Sequence, residues 1–183
     1  MSFAPFQLPE HLKPVLLDAP HPASLDHDTI LAQCSMNRGR SSGPGGQHRN
    51  KVQTLVEYTH TPTGIMAAAG ERRSAAENAR VALTRLRLTL ACKVRVPAGV
   101  PSELWASRCA KGKIRCSTSH QDFPAMLAEA LDHVFACGLD QKAAAGRLEC
   151  SATQLVRFAN AHPPAMQWWN DARQHRGMRP LRP

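Results

Sequence analysis

The chain has 183 residues and carries 23 Lys and Arg against 14 Asp and Glu, a formal net charge of +9 at pH 7. That length fits one domain or two small ones and excludes a large multidomain machine; Arg supplies 17 of the 23 cations, so anionic partners are expected, phosphate first. No apolar run approaches the ~20 residues that span a bilayer, the start lacks the basic flank of a secretory signal and no Arg precedes Met36, so a cytoplasmic protein with no membrane partner is expected.

In chain order, residues 1–23 hold Pro5, Pro9, Pro14, Pro20 and Pro22 and are expected as an extended, at best loosely docked arm. Asp26 or Asp28 can cap a short helix through Ala32 that leads into a strand over Gln33 to Arg38. The run Gly39 to His48 contains four glycines and a proline, which forbid either regular element and make it an exposed loop. Val52, Thr54, Val56 and Tyr58 alternate with Gln53, Leu55, Glu57 and Thr59 in strand fashion. His60-Thr61-Pro62-Thr63-Gly64 then turns the chain, and Ile65 to Ala69 returns as the hairpin partner. Ser74-Ala75-Ala76-Glu77 matches a capping box and opens a helix to about Leu90, with Ala79, Leu83, Leu86 and Leu90 on one stripe. Arg73, Arg80 and Arg87, seven apart, line another stripe, either a solvated face or one lying on RNA phosphates.

Beyond residue 95 the apolar period breaks, and 96–123 is expected as a linker with short elements: a helix capped by Ser102 through Trp105, and a strand within Lys111 to Cys116. His120-Gln121-Asp122 reads as a turn with a helix cap at Asp122 rather than a catalytic pair. Helical periodicity resumes at Met126, Leu127, Ala130, Leu131, Val134 and Phe135 and ends at Gly138. Asp140 opens a further helix, Ser151-Ala152-Thr153-Gln154 is a second capping box, and Pro163 and Pro164 start the last helix, with Met166, Trp168 and Trp169 as core anchors. The expected division is an arm (1–23), a first domain (24–95), a linker (96–123) and a helical C-terminal domain with a basic tail (124–183). The fold class is α+β: a small mixed β-sheet with a long packing helix, followed by a small all-α domain.

Six cysteines without a Cys-x-x-Cys pair are expected as reduced, buried or idle thiols, with no metal. Charge is uneven: residues 1–37 carry net −3, 38–95 net +8 and 96–183 net +4. The basic middle block surrounds Gly45-Gly46-Gln47, with Arg38, Arg40, His48, Arg49 and Lys51 close in sequence. Adjacent glycines let a backbone approach a ligand with no Cβ in the way. A glutamine neither titrates nor attacks, so it is no general base; it can place a water and offer N–H donors to an oxygen that gains charge. Such a device hydrolyses a bond only where another body supplies most of the site, and the cations nominate RNA.

The run Ser41 to Thr54, with Gly45-Gly46-Gln47 inside it, resembles the Gly-Gly-Gln loop of class I peptide chain release factors. The likeness continues in order through Thr59 to Ile65, Glu71-Arg72-Arg73-Ser74, Asn78, Ala79 and the Leu-rich helix. The resemblance implies a catalytic domain that acts in the ribosomal peptidyl transferase centre on the ester joining the nascent chain to tRNA, with no cofactor. It carries the catalytic role to Gly45, Gly46 and Gln47 and makes Gln47 a candidate acceptor for a glutamine methyltransferase. It implies as partners the large-subunit rRNA of the ribosome and peptidyl-tRNA, for a protein acting as a monomer. The candidate RNA contacts are Arg38, Arg40, His48, Arg49, Lys51, Arg72, Arg73, Arg80 and Arg87. Neither a Pro-x-Thr nor a Ser-Pro-Phe codon-reading tripeptide is present, so the chain is similar to small codon-independent members that rescue stalled ribosomes. Arg173, Arg176, Arg179 and Arg182 recur at three-residue intervals, a tail that either contacts RNA or frays.

Lys142 to Leu155 resembles a helix-turn-helix, with Glu149 at a left-handed position in the turn. It reads as a packing module or ribosome-docking platform, or as a base reader. The alternative function is a non-catalytic RNA- or DNA-binding regulator using this element.

Overall fold

The computed structural model describes residues 6–39 and 54–182. Its elements are β1 (Val15–Leu16), α1 (His27–Ala32), β2 (Cys34–Gly39), β3 (Leu55–His60), β4 (Ile65–Ala69), α2 (Ala75–Lys93) and β5 (Val94–Arg95). They continue with α3 (Glu103–Arg108), β6 (Cys109–Ala110), β7 (Lys113–Ile114), α4 (Phe123–Ala136), α5 (Gln141–Arg147), α6 (Ala152–Asn160) and α7 (Pro163–His175). This is an α+β protein whose contacts divide into two compact units. One is Leu25–Leu90; the other joins the N-terminal residues up to Ser24 with those from Ala91 onward.

In the Leu25–Leu90 unit, Asp26 caps α1 by accepting from the amides of Asp28 and Thr29. The sheet order is β2–β3–β4, antiparallel throughout. The expected mixed sheet is thus corrected: the parallel pairing belongs to a separate two-stranded pair, β1 with β5. Val56, Tyr58 and His60 alternate inward along β3, as a half-buried strand requires. Gly64 closes the hairpin at φ +69°, donating its amide to His60 O over 2.8 Å. Ser74 Oγ accepts from the Glu77 amide at the start of α2, which runs three residues past the expected Leu90 because Ala91 and Cys92 are also buried. Ala82, Leu83, Leu86 and Leu90 form its buried stripe and, with Val56, Tyr58 and Ala69, this unit's core.

In the other unit, α4 is apolar almost all round and is surrounded by its neighbours, with Phe123, Met126, Leu127, Leu131 and Val134 at its centre. Phe158 of α6 meets the rings of Trp105 and Phe123 edge-on at 6.1 and 5.1 Å, an arrangement aromatic quadrupoles favour. Ser102, Asp140 and Ser151 cap α3, α5 and α6, and Glu149 lies at φ 53° in the turn between α5 and α6. Asp122 does not cap α4; Arg108 takes its carboxylate instead, at 2.8 and 3.1 Å.

The described part of the expected loosely docked arm (1–23), residues 6–23, is packed into this unit. Phe6 lies 5.3 Å from the ring of Phe135, Trp168 Nε1 donates to Leu12 O over 3.0 Å, and β1 pairs with β5. Proline content makes a segment extended but does not prevent its apolar side chains and carbonyls from docking. The C-terminal residues are also held. Asn170 donates to Leu181 O and accepts from the Leu181 amide, and Arg173 donates to Arg179 O and Leu139 O.

Candidate functional site

Gly45, Gly46 and Gln47, together with Arg40, His48, Arg49 and Lys51, lie outside the described residues. What the structure describes is the base from which that segment leaves and to which it returns. The chain leaves β2 at Gly39, which is in register with Leu55 of β3, so the two ends of the segment are held opposite each other across one antiparallel rung, about 5 Å apart. The contact is tight: a side-chain carbon built at Gly39 would stand 3.2 Å from Leu55 Cδ2. A side chain at this position would have to push that Leu55 methyl aside by a few tenths of an ångström.

A second fastening comes from α2. Asn78 is fully buried; its Nδ2 donates to Thr54 O at 2.6 Å and to Arg72 O at 3.0 Å, and its Oδ1 accepts from the Arg72 amide at 2.9 Å. One carboxamide therefore ties three chain segments together: the residue before β3, the β4–α2 connection and the helix itself. Only an amide side chain offers donor and acceptor on this pattern. The connection is held from its other side by Arg85, which donates to Glu71 Oε1 at 2.6 Å and to Ala68 O at 2.9 Å. Glu71 is held below the usual carboxylate range, chiefly by its own backbone amide, with the Gly70 amide and Arg85 adding to it. At the opposite end of the sheet the ring nitrogens of His60 meet Thr63 Oγ1 at 2.8 Å and Gln33 Oε1 at 3.0 Å, and burial lowers the imidazole pKa.

Among the expected RNA contacts, Arg38, Arg72, Arg73 and Arg80 are exposed. Arg38 stands opposite Val56, one rung from the Gly39–Leu55 pair, and the backbone of Arg72 is bound to Asn78, which also holds Thr54. The base of the segment thus carries cations on both of its sides. Arg87 is different and corrects the expected stripe: it is half-buried and its guanidinium donates to Leu25 O, with burial lowering its pKa and Asp26 opposing that. Arg173 is likewise buried; Arg176 donates to Gly138 O and stacks on Phe6 at 4.4 Å while remaining exposed, as Arg179 and Arg182 are.

The three-way bonding of Asn78 was not visible in the sequence, where it stood only as one residue of a motif; the inward parity of His60 was, since it continues Val56 and Tyr58 at period two. Among the described residues no group of His, Cys, Asp and Glu is placed to hold a metal ion, and no helix is long and apolar enough to cross a membrane.

Comparison with known proteins finds a match of residues 29–119 to the RF-1 domain family model. Curated relatives include peptide chain release factor 2 of Lactiplantibacillus plantarum, 49% identical over 51 residues, 28% of this chain and 14% of that protein. Peptide chain release factor 1 of Chloroherpeton thalassium is 39% identical over 71 residues, 39% of this chain and 20% of the relative. Peptide chain release factor 1 of Acidiphilium cryptum is 38% identical over 79 residues, 43% and 22% of the two chains. The chain thus spans about a fifth or less of the length of these relatives.

Proposed function

The chain belongs, through its residues 29–119, to the class I peptide chain release factor family, and from that premise we propose that it hydrolyses the ester of peptidyl-tRNA on the ribosome without reading a codon. The observation that carries this reading is the intact Gly45-Gly46-Gln47, in a segment whose two ends are fastened by the Gly39–Leu55 rung and by Asn78. A loop that only bound RNA would have no need of a neutral glutamine between glycines and cations.

In the proposed reaction water attacks the ester carbonyl carbon, the bond from that carbon to the ribose 3′ oxygen breaks, and the proton of the water ends on that oxygen. Gln47 positions the water through its side chain, and its backbone amide stabilises the departing oxygen; each such donor acts on charge that exists only in the transition state. Gly45 and Gly46 keep side chains out of the path of the tRNA end. Arg38, Arg40, His48, Arg49, Lys51, Arg72, Arg73 and Arg80 hold the domain against large-subunit rRNA. Arg87 acts from within, by fixing the start of α1 to α2. Gln47 is also the proposed acceptor for a methyltransferase, and α5 and α6 form a helix-turn-helix-like platform for docking. The protein works in the cytoplasm.

The deciding experiment is release of labelled peptide from purified ribosomes programmed with truncated, sense-codon or stop-codon mRNA. Equal release on all three supports the reading, and release confined to stop codons refutes codon independence.

A further inference from the structure

The short hairpin β6–β7 has no role in the reading above, yet it carries an unusual arrangement of charge. Ala110 pairs with Lys113, so the turn has two residues, Lys111 at φ 52° and Gly112 at φ +73°. Positive φ at both positions defines a type I′ turn, which favours Asn, Asp or Gly at its first position. Lysine there is held in a conformation that L side chains rarely adopt and sets a long cation at the tip. Lys111, Lys113 and Arg115 are all exposed, while the alternate residues Gly112 and Ile114 are partly covered. Lys111 stands at the tip of the turn, Lys113 in β7 and Arg115 just past it, so the three exposed cations follow one another along the hairpin as a row.

The row is held firmly. The Arg115 amide donates to Arg108 O at 2.7 Å, and the Ser151 amide donates to Gly112 O at 3.2 Å, fixing the tip to the start of α6. Gly112 also pairs with Cys150 in a parallel bridge. The row is uncompensated as well. Among the described residues none of the three cations forms an ion pair; the nearby Arg108 is matched by Asp122, and Glu149, next to Cys150, takes none of them. A rigid row of unpaired cations has lost little freedom still to be lost on meeting a regular polyanion.

We propose that the β6–β7 hairpin is a second RNA contact, which grips the phosphate backbone through Lys111, Lys113 and Arg115 without reading bases. The choice of RNA over another polyanion rests on the ribosomal reading above. Three exposed, unpaired cations on a fastened hairpin suit contact with phosphates, and no aromatic side chain stands in the hairpin to stack on bases.

The test measures binding of the full chain to a fluorescent 30-nucleotide poly(U) between 50 and 200 mM salt. Single-stranded binding loses about 0.7 of log–log salt slope per phosphate contact removed. Lys111→Gln with Lys113→Gln should therefore flatten the slope by about 1.4, and adding Arg115→Gln by about 0.7 more. The charge-matched pair Lys13→Gln with Lys93→Gln, both exposed and outside every proposed contact, should leave it near wild type, and thermal melting should be unchanged in all of them. Equal flattening by both pairs, or none by the hairpin pair, overturns the proposal; so does equal binding and equal loss with poly-glutamate, which would mark an acidic protein partner. Gln47→Ala keeps the two readings apart. It should lower peptide release about 10²- to 10³-fold and keep the wild-type salt slope; if it released peptide normally the catalytic reading would fail while the slopes would still decide the hairpin.

Discussion

Replacing Asn78 by alanine removes a donor for two carbonyls and an acceptor for one amide in a single step, and the cost can be estimated bond by bond. Each of the three hydrogen bonds contributes about 0.5–1.5 kcal/mol net, and a buried partner left without a replacement adds to that. Thr54 and Arg72 are not buried, so water can reach part of what is exposed, and the loss should be about 2–4 kcal/mol. Hydrogen exchange at the amides of β3 reads this directly: a loss of that size speeds exchange about 30- to 1,000-fold if those amides exchange by opening of the Leu25–Leu90 unit. Asn78→Asp sharpens the test. The carboxylate keeps its acceptor for the Arg72 amide but turns an oxygen toward Thr54 O and Arg72 O, where the native Nδ2 stands at 2.6 and 3.0 Å. At neutral pH it should be at least as damaging as alanine, and part of the loss should return as acid protonates it. Peptide release should fall with protection, because the segment bearing Gln47 loses one of its two fastenings. Protection in β3 unchanged within threefold for Asn78→Ala would refute the latch.

Gln47→Ala should lower the release rate at saturating protein about 10²- to 10³-fold, the loss typical of one preorganised donor, with wild-type melting; an unchanged rate in a single-turnover release assay would contradict the catalytic assignment. Asp132 is buried and accepts from the Val96 amide, and its pKa is raised to about 8 by desolvation, with Arg95 pulling the other way. A carboxyl raised in the folded state contributes stability that is full below its unfolded pKa of about 3.9 and is lost as pH rises through about 8. Denaturant midpoints should fall from pH 5 to pH 8, and Asp132→Asn should flatten that fall; parallel curves would argue against it. Arg80→Gln should flatten the salt dependence of ribosome binding at unchanged melting, whereas Arg87→Gln should lower stability by about 1.5–3 kcal/mol, as for a hydrogen bond from a charged group, at unchanged salt slope; the reverse assignment would show that exposure does not separate the two.

What could be read from the sequence were the features whose causes are local. The alternation in β3, the glycine that closes its hairpin, the serine before α2 and its leucine stripe, and the caps at Ser102, Asp140 and Ser151 each depend on neighbours within a few residues. Features that depend on distant partners could not be read. Nothing near Leu12 announces that its carbonyl will meet Trp168, so a proline-rich segment that is in fact packed suggested a loose arm. Asp122 looked like a helix cap because sequence shows the position before Phe123 but not the guanidinium of Arg108 that takes its carboxylate. At the candidate site the same division holds: Gly45-Gly46-Gln47 is a local signal, while the bond from Asn78 to Thr54 crosses 24 positions.

The arginines show why net charge alone is a poor guide to what this protein grips. A formal +9 sets the long-range field, but a phosphate contact needs a cation whose donors are free and at the surface. Arg87, Arg95, Arg173 and Arg176 direct donors to carbonyls of their own chain, and Arg95 is fully buried beneath the ring of Trp168 at 4.2 Å. Those bonds tie the four side chains into the fold of their own chain. Arg38, Arg72, Arg73 and Arg80 in one unit, and Lys111, Lys113 and Arg115 in the other, remain exposed. A salt slope therefore counts exposed cations with free donors rather than net charge, and the fall in ribosome-binding slope when the charges of Arg40, His48, Arg49 and Lys51 beside Gln47 are removed measures how much affinity the catalytic segment itself supplies.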